Sequence, residues 1–310
     1  MKNIKIILGT IFIAACIMSC DFSLEKTLEL PELNFEEQIV IQSNLVSGSD
    51  SVVVMVARSE SVVDQSSFEP DFFSGAIINL LFEGRNYGEF VQNNIGLYVA
   101  KGMNLEKGDY SLDVQIPLSD ILVNGLTEIP QNIELYEVEY REDAGVHINF
   151  EERGDLVRIK FNDPPEKNYY GINLFYENER LDTIIEGIDT FYVSLPDFID
   201  LETNEPGVIF YRGILLFDDS AFNGTNKSFE VVFRTYGSSF GEYGEYVEDK
   251  DLPRLEWLVY SEDQFKYLRS ISISNDFGDG PFTDPITIHS NIENGLGIFG
   301  GQLRSFYDLE

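Results

Sequence analysis

Apolar and polar residues alternate in short runs along most of this chain, the period-two pattern of half-buried β-strands. Gln38–Leu45 alternates, Ser51–Ala57 is rich in valine, and Ala76–Phe82 is almost continuously apolar, as a central strand would be. Asn86–Val91, Gly96–Ala100 and Tyr110–Ile116 follow, with Gly and Asn between them. Runs of this length at this spacing predict an antiparallel sandwich over residues 38–120. The stretch 117–130, with proline at each end, reads as a boundary. A second series occupies 131–310: Ile133–Arg141, Val146–Phe150, Leu156–Phe161, Tyr169–Tyr176, Asp182–Ile185, Thr190–Leu195, Val208–Phe217 and Phe229–Tyr236. Ile286–His289 reads as a strand, followed by a glycine-rich loop and a return strand at Leu303–Tyr307. One amphipathic helix is expected over about 262–274. Ser261 sits where an N-cap would, Gln264 at the third helical position, and Phe265, Leu268 and Ile271 recur at intervals of three. The expected fold is therefore mainly β, two sandwich-like modules with one helix and a C-terminal return strand.

Some runs resemble known modules. Gly75-Ala76, Gly96-Leu97-Tyr98 and Gly108-Asp109-Tyr110-Ser111-Leu112 follow the rhythm of transthyretin-like or carboxypeptidase-regulatory domains. There a glycine makes a tight turn and the next tyrosine returns to the core. Leu156–Phe161 alternates and then meets Asp163-Pro164-Pro165, which resembles a strand of a fibronectin-III or immunoglobulin-like sandwich.

The N-terminus changes the picture of where the protein works. Lys2 and Lys5 precede an apolar run from Ile6 to Ile17, too short to span a bilayer and shaped like a signal peptide over residues 1–19. Ile17-Met18-Ser19-Cys20 resembles the lipobox of bacterial lipoproteins, which implies that Cys20 is acylated and becomes the first mature residue. Residues 20–37 are polar and acidic and read as a tether. Cys16 would leave with the signal, so no thiol remains for a disulfide, a metal or a nucleophile.

Charge narrows the partners. The 310 residues carry 54 acids and 21 bases, a formal charge of −33, or −33 − 2 = −35 once a signal peptide with two lysines is removed. Without a basic cluster, nucleic-acid binding is not expected. Adhesion to anionic lipid is disfavoured for the same reason.

Several motifs look chemical. Gly295-x-Gly297-x-x-Gly300 matches a dinucleotide fingerprint, but only ten residues follow Gly300, too few for the helix and acid that mechanism needs. Gly237-Ser238-Ser239-Phe240-Gly241 matches a nucleophile elbow, with Asp276 or Asp284 and then His289 in hydrolase order. A loop-like Glu242–Tyr246 follows instead of the required helix, so no catalytic residue is assigned. His147 and His289, each in an expected strand, read as ordinary strand histidines. Asp276 and Asp279, in the loop-like Asn275–Gly280, offer oxygens for a structural Ca²⁺; no other cofactor is expected. Asp219-Ser220-Ala221 resembles an O-glycosylation acceptor tripeptide, a sequence that also arises by chance. Tyr236, Phe240, Tyr243 and Tyr246 are spaced by glycine, serine and acids, a composition suited to a partner or ligand contact.

Five further pieces act together: Asp163-Pro164, Asn168-Tyr169-Tyr170, Phe217-Asp218-Asp219, Phe222-Asn223-Gly224 and the tail from Asn291 to Gly301. With Pro281–Pro285, they closely resemble a Bacteroidota lipoprotein family named domain of unknown function 4249. The resemblance implies an outer-membrane lipoprotein, on a face not specified, often encoded beside TonB-dependent receptors. It supplies no catalytic residues. The expected role is a non-enzymatic accessory or binding protein, held to the membrane by its N-terminal lipid and partnering a TonB-dependent transporter in nutrient uptake. A structural or adhesion lipoprotein and a cell-envelope hydrolase are the alternatives.

Overall fold

Alternation along β1 (Ile39–Val46) buries Ile39, Ile41, Ser43 and Leu45 and leaves their neighbours half-exposed. The same rule builds most of the computed structural model, which describes residues 35–61, 71–93, 97–117, 121–147, 152–175, 199–235, 252–277 and 286–310. The described residues from Glu37 onward form one compact unit. They hold three sheets and a helix, mainly β as the patterning predicts.

The largest sheet runs, edge to edge, β14 (Ile209–Tyr211), β15 (Ile214–Asp218), β12 (Tyr169–Phe175), β17 (Arg254–Tyr260), β19 (Leu296–Asp308), β1, β2 (Ser51–Arg58), β7 (Tyr98–Lys101) and β6 (Val91–Gln92). The short β3 (Asp71–Phe72) pairs with β2. A five-stranded sheet follows the order β18 (Ile292–Glu293), β9 (Leu122–Ile129), β8 (Gly108–Gln115), β4 (Ile77–Phe82) and β5 (Arg85–Asn86). A four-stranded sheet has the order β10 (Leu135–His147), β11 (Glu152–Asn162), β16 (Asn226–Thr235) and β13 (Ile199–Glu202). The helix α1 spans Glu262–Phe277.

Two hydrophobic cores result. One joins β1, β2 and β7 to β4, β8 and β9 through Ile41, Val54, Tyr98, Leu80, Tyr110 and Val123. The other joins β12, β15 and β17 to β11 and β16, and its centre is aromatic. Trp257 lies 4.9 Å from Phe161 and 5.1 Å from Tyr170, ring centre to ring centre, and its Nε1–H donates to the Ile133 carbonyl at 2.7 Å. That bond removes the one polar liability of burying an indole.

β17 is buried along nearly its whole length because both of its faces are covered. Leu255, Trp257 and Val259 enter the aromatic core, while Leu258 and Tyr260 turn the other way. There they meet Tyr169, Leu216 and Phe265 of α1. The helix thus roofs part of the outer face of the large sheet.

β19 couples the two halves. Its first seven residues, Leu296–Gln302, pair in parallel with β1, and Gln302–Asp308 pair antiparallel with β17. The glycine-rich tail is therefore strand rather than loop. A Cβ at Gly297 would overlap the Ile41 carbonyl oxygen, one at Gly300 the Gln264 side chain, and one at Gly301 the Glu128 carbonyl oxygen. Glycine lets three layers touch here.

Other expectations change in detail. The stretch 117–130 contains β9. Ala76–Phe82 is not central; its strand lies beside the short edge strand β5. Asn86–Val91 contributes to two strands in different sheets, and Val208–Phe217 is a hairpin turning at Arg212–Gly213. Ile286–His289 is irregular backbone. The helix continues past residue 274 to Phe277, so the Asn275–Gly280 stretch begins as helix. Glycine first interrupts the sequence at Gly278.

Candidate functional site

The motif pieces scattered between residues 163 and 224 converge at one end of the second core. Tyr170 donates its hydroxyl to Asp163 Oδ1, and the Gly224 N–H donates to Asp163 Oδ2 at 2.8 Å. Asp219 Oδ2 accepts the Asn168 N–H at 2.6 Å and the Asn223 side-chain amide at 3.4 Å. Asp218 caps the short 3-10 turn Asp219–Ala221 through the Ser220 N–H, with Lys167 Nζ 3.6 Å away.

Burial tunes these groups. Asp163 is 6% exposed, and loss of water pushes its carboxyl above the ordinary range, against the hydrogen bonds from Tyr170 and Gly224. Repulsion from Asp219 adds to the rise. Tyr170 is driven up by burial first and by its carboxylate partner second. Both carboxylates are engaged by backbone N–H groups, so they fasten loops to the sandwich end. That is a structural use, and it explains why aspartate, asparagine and glycine recur at those positions.

The tail motif has a similar origin. Asn291 donates from Nδ2 to the Leu126 and Phe299 carbonyls, each at 2.8 Å, and accepts the Phe299 N–H at 2.9 Å. Its amide bridges β9 and β19, which lie in different sheets. His289 Nε2 lies 2.8 Å from Asp263 Oδ1, and the His289 backbone N–H donates to Ser270 Oγ at 3.0 Å. The histidine ties the irregular 286–291 segment to α1.

Among the described residues, a polar and aromatic surface lies beyond the part of the large sheet that α1 covers. Asn173 and Phe175 of β12, Arg254 and Glu256 of β17, and Arg304 and Phe306 of β19 line an open concavity of about 310 Å³. Glu256 is 4% exposed and accepts Arg304 Nε at 2.6 Å and Asn173 Nδ2 at 3.0 Å. Arg254 Nε lies 2.7 Å from Asp308 Oδ1. Phe306 is 46% exposed, with the Arg254 and Arg304 guanidinium carbons 5.6 and 5.8 Å from its ring centre. Phe175 meets it edge-on at 5.7 Å. Sequence reading missed this patch because its six residues alternate along three strands distant in the chain.

Cys20, Tyr236, Ser239, Phe240, Tyr243, Tyr246, Asp279 and Asp284 lie outside the described residues. Asp276 falls in the last turn of α1 and His147 at the end of β10. Among the described residues, no group of three or more His, Cys, Asp or Glu side chains is arranged to hold a metal ion.

No curated protein matches the chain. A solved structure described as "Biofilm associated protein - BSP domain" shows a TM-score of 0.21 and 10% identity, over 91% of this chain and 62% of that one. The chain thus spans less than two thirds of that structure's length, and the likeness is too slight to inform fold or role. The model of the family described as Domain of unknown function (DUF4249) matches residues 25–305, which takes in Asp163-Pro164, Asn168–Tyr170, Phe217–Asp219, Phe222–Gly224 and the 291–301 tail, and the chain belongs to that family.

Proposed function

We propose that the protein is a lipid-anchored outer-membrane accessory protein that binds a partner and performs no catalysis, working beside a TonB-dependent transporter in nutrient uptake. One observation carries the binding reading: Phe306 stands half-exposed between two guanidiniums over a buried Glu256. Aromatic rings and arginines in a desolvated setting are the side chains that dominate binding energy at protein interfaces. The acids that could serve catalysis at the sandwich end, Asp163 and Asp219, are engaged by backbone N–H groups. Tyr236, Phe240, Tyr243 and Tyr246 are proposed as further partner or ligand contacts on the strength of their composition. Cys20 supplies the anchor, with Asp276 and Asp279 retained as ligands for a structural Ca²⁺.

The test is affinity isolation from detergent-solubilised outer membranes with the anchor intact, comparing the parent with Phe306→Ala. Recovery of an outer-membrane receptor with the parent, reduced at least tenfold for the variant, is expected. Recovery of only further copies of the chain would favour adhesion, and equal recovery by both proteins would sink the Phe306 surface.

A further inference from the structure

The first strand enters the fold at an end unusually rich in exposed aliphatic side chains. Ile77, Gln115 and Leu122 form one rung across β4, β8 and β9, at the terminal register of that sheet. Ile77 is 60% exposed and Leu122 41%. Ile121, the preceding residue, is 45% exposed, and its carbonyl accepts the Ile116 N–H at 3.2 Å. Asn294 Nδ2 donates to the Leu122 carbonyl, and two residues later Leu296 begins β19 at 43% exposure. Leu296 pairs with Val40, the second residue of β1. A Cβ at Gly295 would lie 2.7 Å from the Ile39 carbonyl oxygen and 3.1 Å from Val123. Ile77, Ile121, Leu122 and Leu296 therefore ring the place where β1 starts.

We propose that this end is a membrane-facing cap, whose four aliphatic side chains rest in the headgroup region of a neutral phospholipid surface. The inference deepens the proposed function and rests on acylation of Cys20, which lies 19 positions before Ile39. An anchor joined to the chain upstream of Ile39 keeps this end within a tether's reach of the bilayer, and a tethered contact needs little affinity of its own. Aliphatic side chains gain by leaving water at such an interface. Arg58, 3.5 Å from Glu37 and 3.7 Å from Asp71, offsets part of the acidity at the same end. The strongly acidic chain would be repelled by anionic lipid, so the surface it fits is a neutral one.

Tryptophan is introduced singly at Ile121, Leu296 and Phe210 of the full-length anchored protein. Phe210 is 49% exposed on β14, at the far edge of the large sheet. Each variant is reconstituted on phosphatidylcholine vesicles with and without brominated acyl chains. Trp257, fully buried, supplies the constant background. The added tryptophans of Ile121→Trp and Leu296→Trp are expected to be quenched at least twofold and that of Phe210→Trp not at all. Equal quenching at the three positions, or none at 121 and 296, overturns the cap. Leu122→Trp replaces Ile121→Trp if the latter unfolds. Intact mass reads Cys20 acylation separately. If Cys20 is bare, the anchoring reading fails, and the cap is then judged by the same quenching after a maleimide-bearing lipid is coupled to that thiol.

Discussion

Ser261 and Gly301 are joined twice: the Ser261 N–H donates to the Gly301 carbonyl at 2.8 Å, and the Gly301 N–H donates to Ser261 Oγ at 3.1 Å. The same hydroxyl accepts the Gln264 N–H at 3.3 Å, capping α1, and shares a hydrogen bond with Thr127 Oγ1 at 3.3 Å. One buried serine thus links β17, α1, β19 and β9. Its partner Gln264 does not complete a capping box, because the Ser261 N–H is already taken by Gly301.

Ser261→Ala removes a helix cap and leaves the buried Gly301 N–H without its acceptor. Those losses are typically about 1 kcal/mol and about 1–3 kcal/mol, so a destabilisation of roughly 2–4 kcal/mol is expected in urea unfolding. A change below about 0.5 kcal/mol would show that water replaces the hydroxyl.

Gly297→Ala tests a close approach to backbone, between β19 and β1. The residue has φ of +112°, and a Cβ would strike the Ile41 backbone, which has no side-chain freedom to give way. A loss above about 3 kcal/mol, or failure to fold, is expected. Gly48→Ala is the control: its φ is +76° with nothing within 4 Å of the new Cβ. Only the left-handed strain of about 1 kcal/mol applies there. Equal effects at the two sites would refute a steric role for the β1–β19 approach.

Asp163 gives a pH signature. Its pKa is raised in the fold by burial, against two hydrogen bonds, so the folded protein holds the proton to higher pH than the unfolded chain. Stability from this group therefore falls as pH climbs from the unfolded value, about 3.9, through the raised one. Asp163→Asn abolishes that fall. Unfolding free energies at about pH 4 and about pH 7 should show the variant gaining on the parent at the higher pH. A pH-independent difference would contradict the shift.

Arg304 and Glu256 form an asymmetric pair, their side chains 39% and 5% exposed. Among the described residues, Arg304→Ala leaves the buried Glu256 carboxylate with Asn173 as its remaining hydrogen-bond partner. Fully buried pairs lose about 3–5 kcal/mol on such truncation; the exposed arginine lowers the expectation to about 1–3 kcal/mol. The double variant Arg304→Met with Glu256→Leu should recover most of that loss in thermal unfolding. If the double variant is no more stable than Arg304→Ala, the carboxylate is not what destabilises it.

Alternation in the sequence was enough to place β1, β2, β8 and β11 within a few residues and to fix a mainly β class, because each shows one face to a core and the other largely to water; β12 reads as a strand from its apolar run, and its first four residues are buried on both faces. β9 escaped because its pattern is inverted: it buries Val123, Gly125, Thr127 and Ile129 and exposes Leu122 and Leu126. Position 125 faces inward by alternation and holds glycine because a Cβ there would lie 2.9 Å from Phe299 Cβ. β17 escaped because burial on both faces erases alternation. The glycine-rich tail reads as a loop locally, and only packing against Ile41, Gln264 and Glu128 makes it a strand. The sequence by itself determined composition, charge, the helix start at Ser261 and the period of the strands, all properties of neighbouring residues. Which strands share a sheet, how Asp163 meets Tyr170 and Gly224, and how Arg254, Glu256, Arg304 and Phe306 come to share a face were decided by tertiary structure. Those contacts arise from backbone pairing between segments far apart in the chain, which local patterning does not encode.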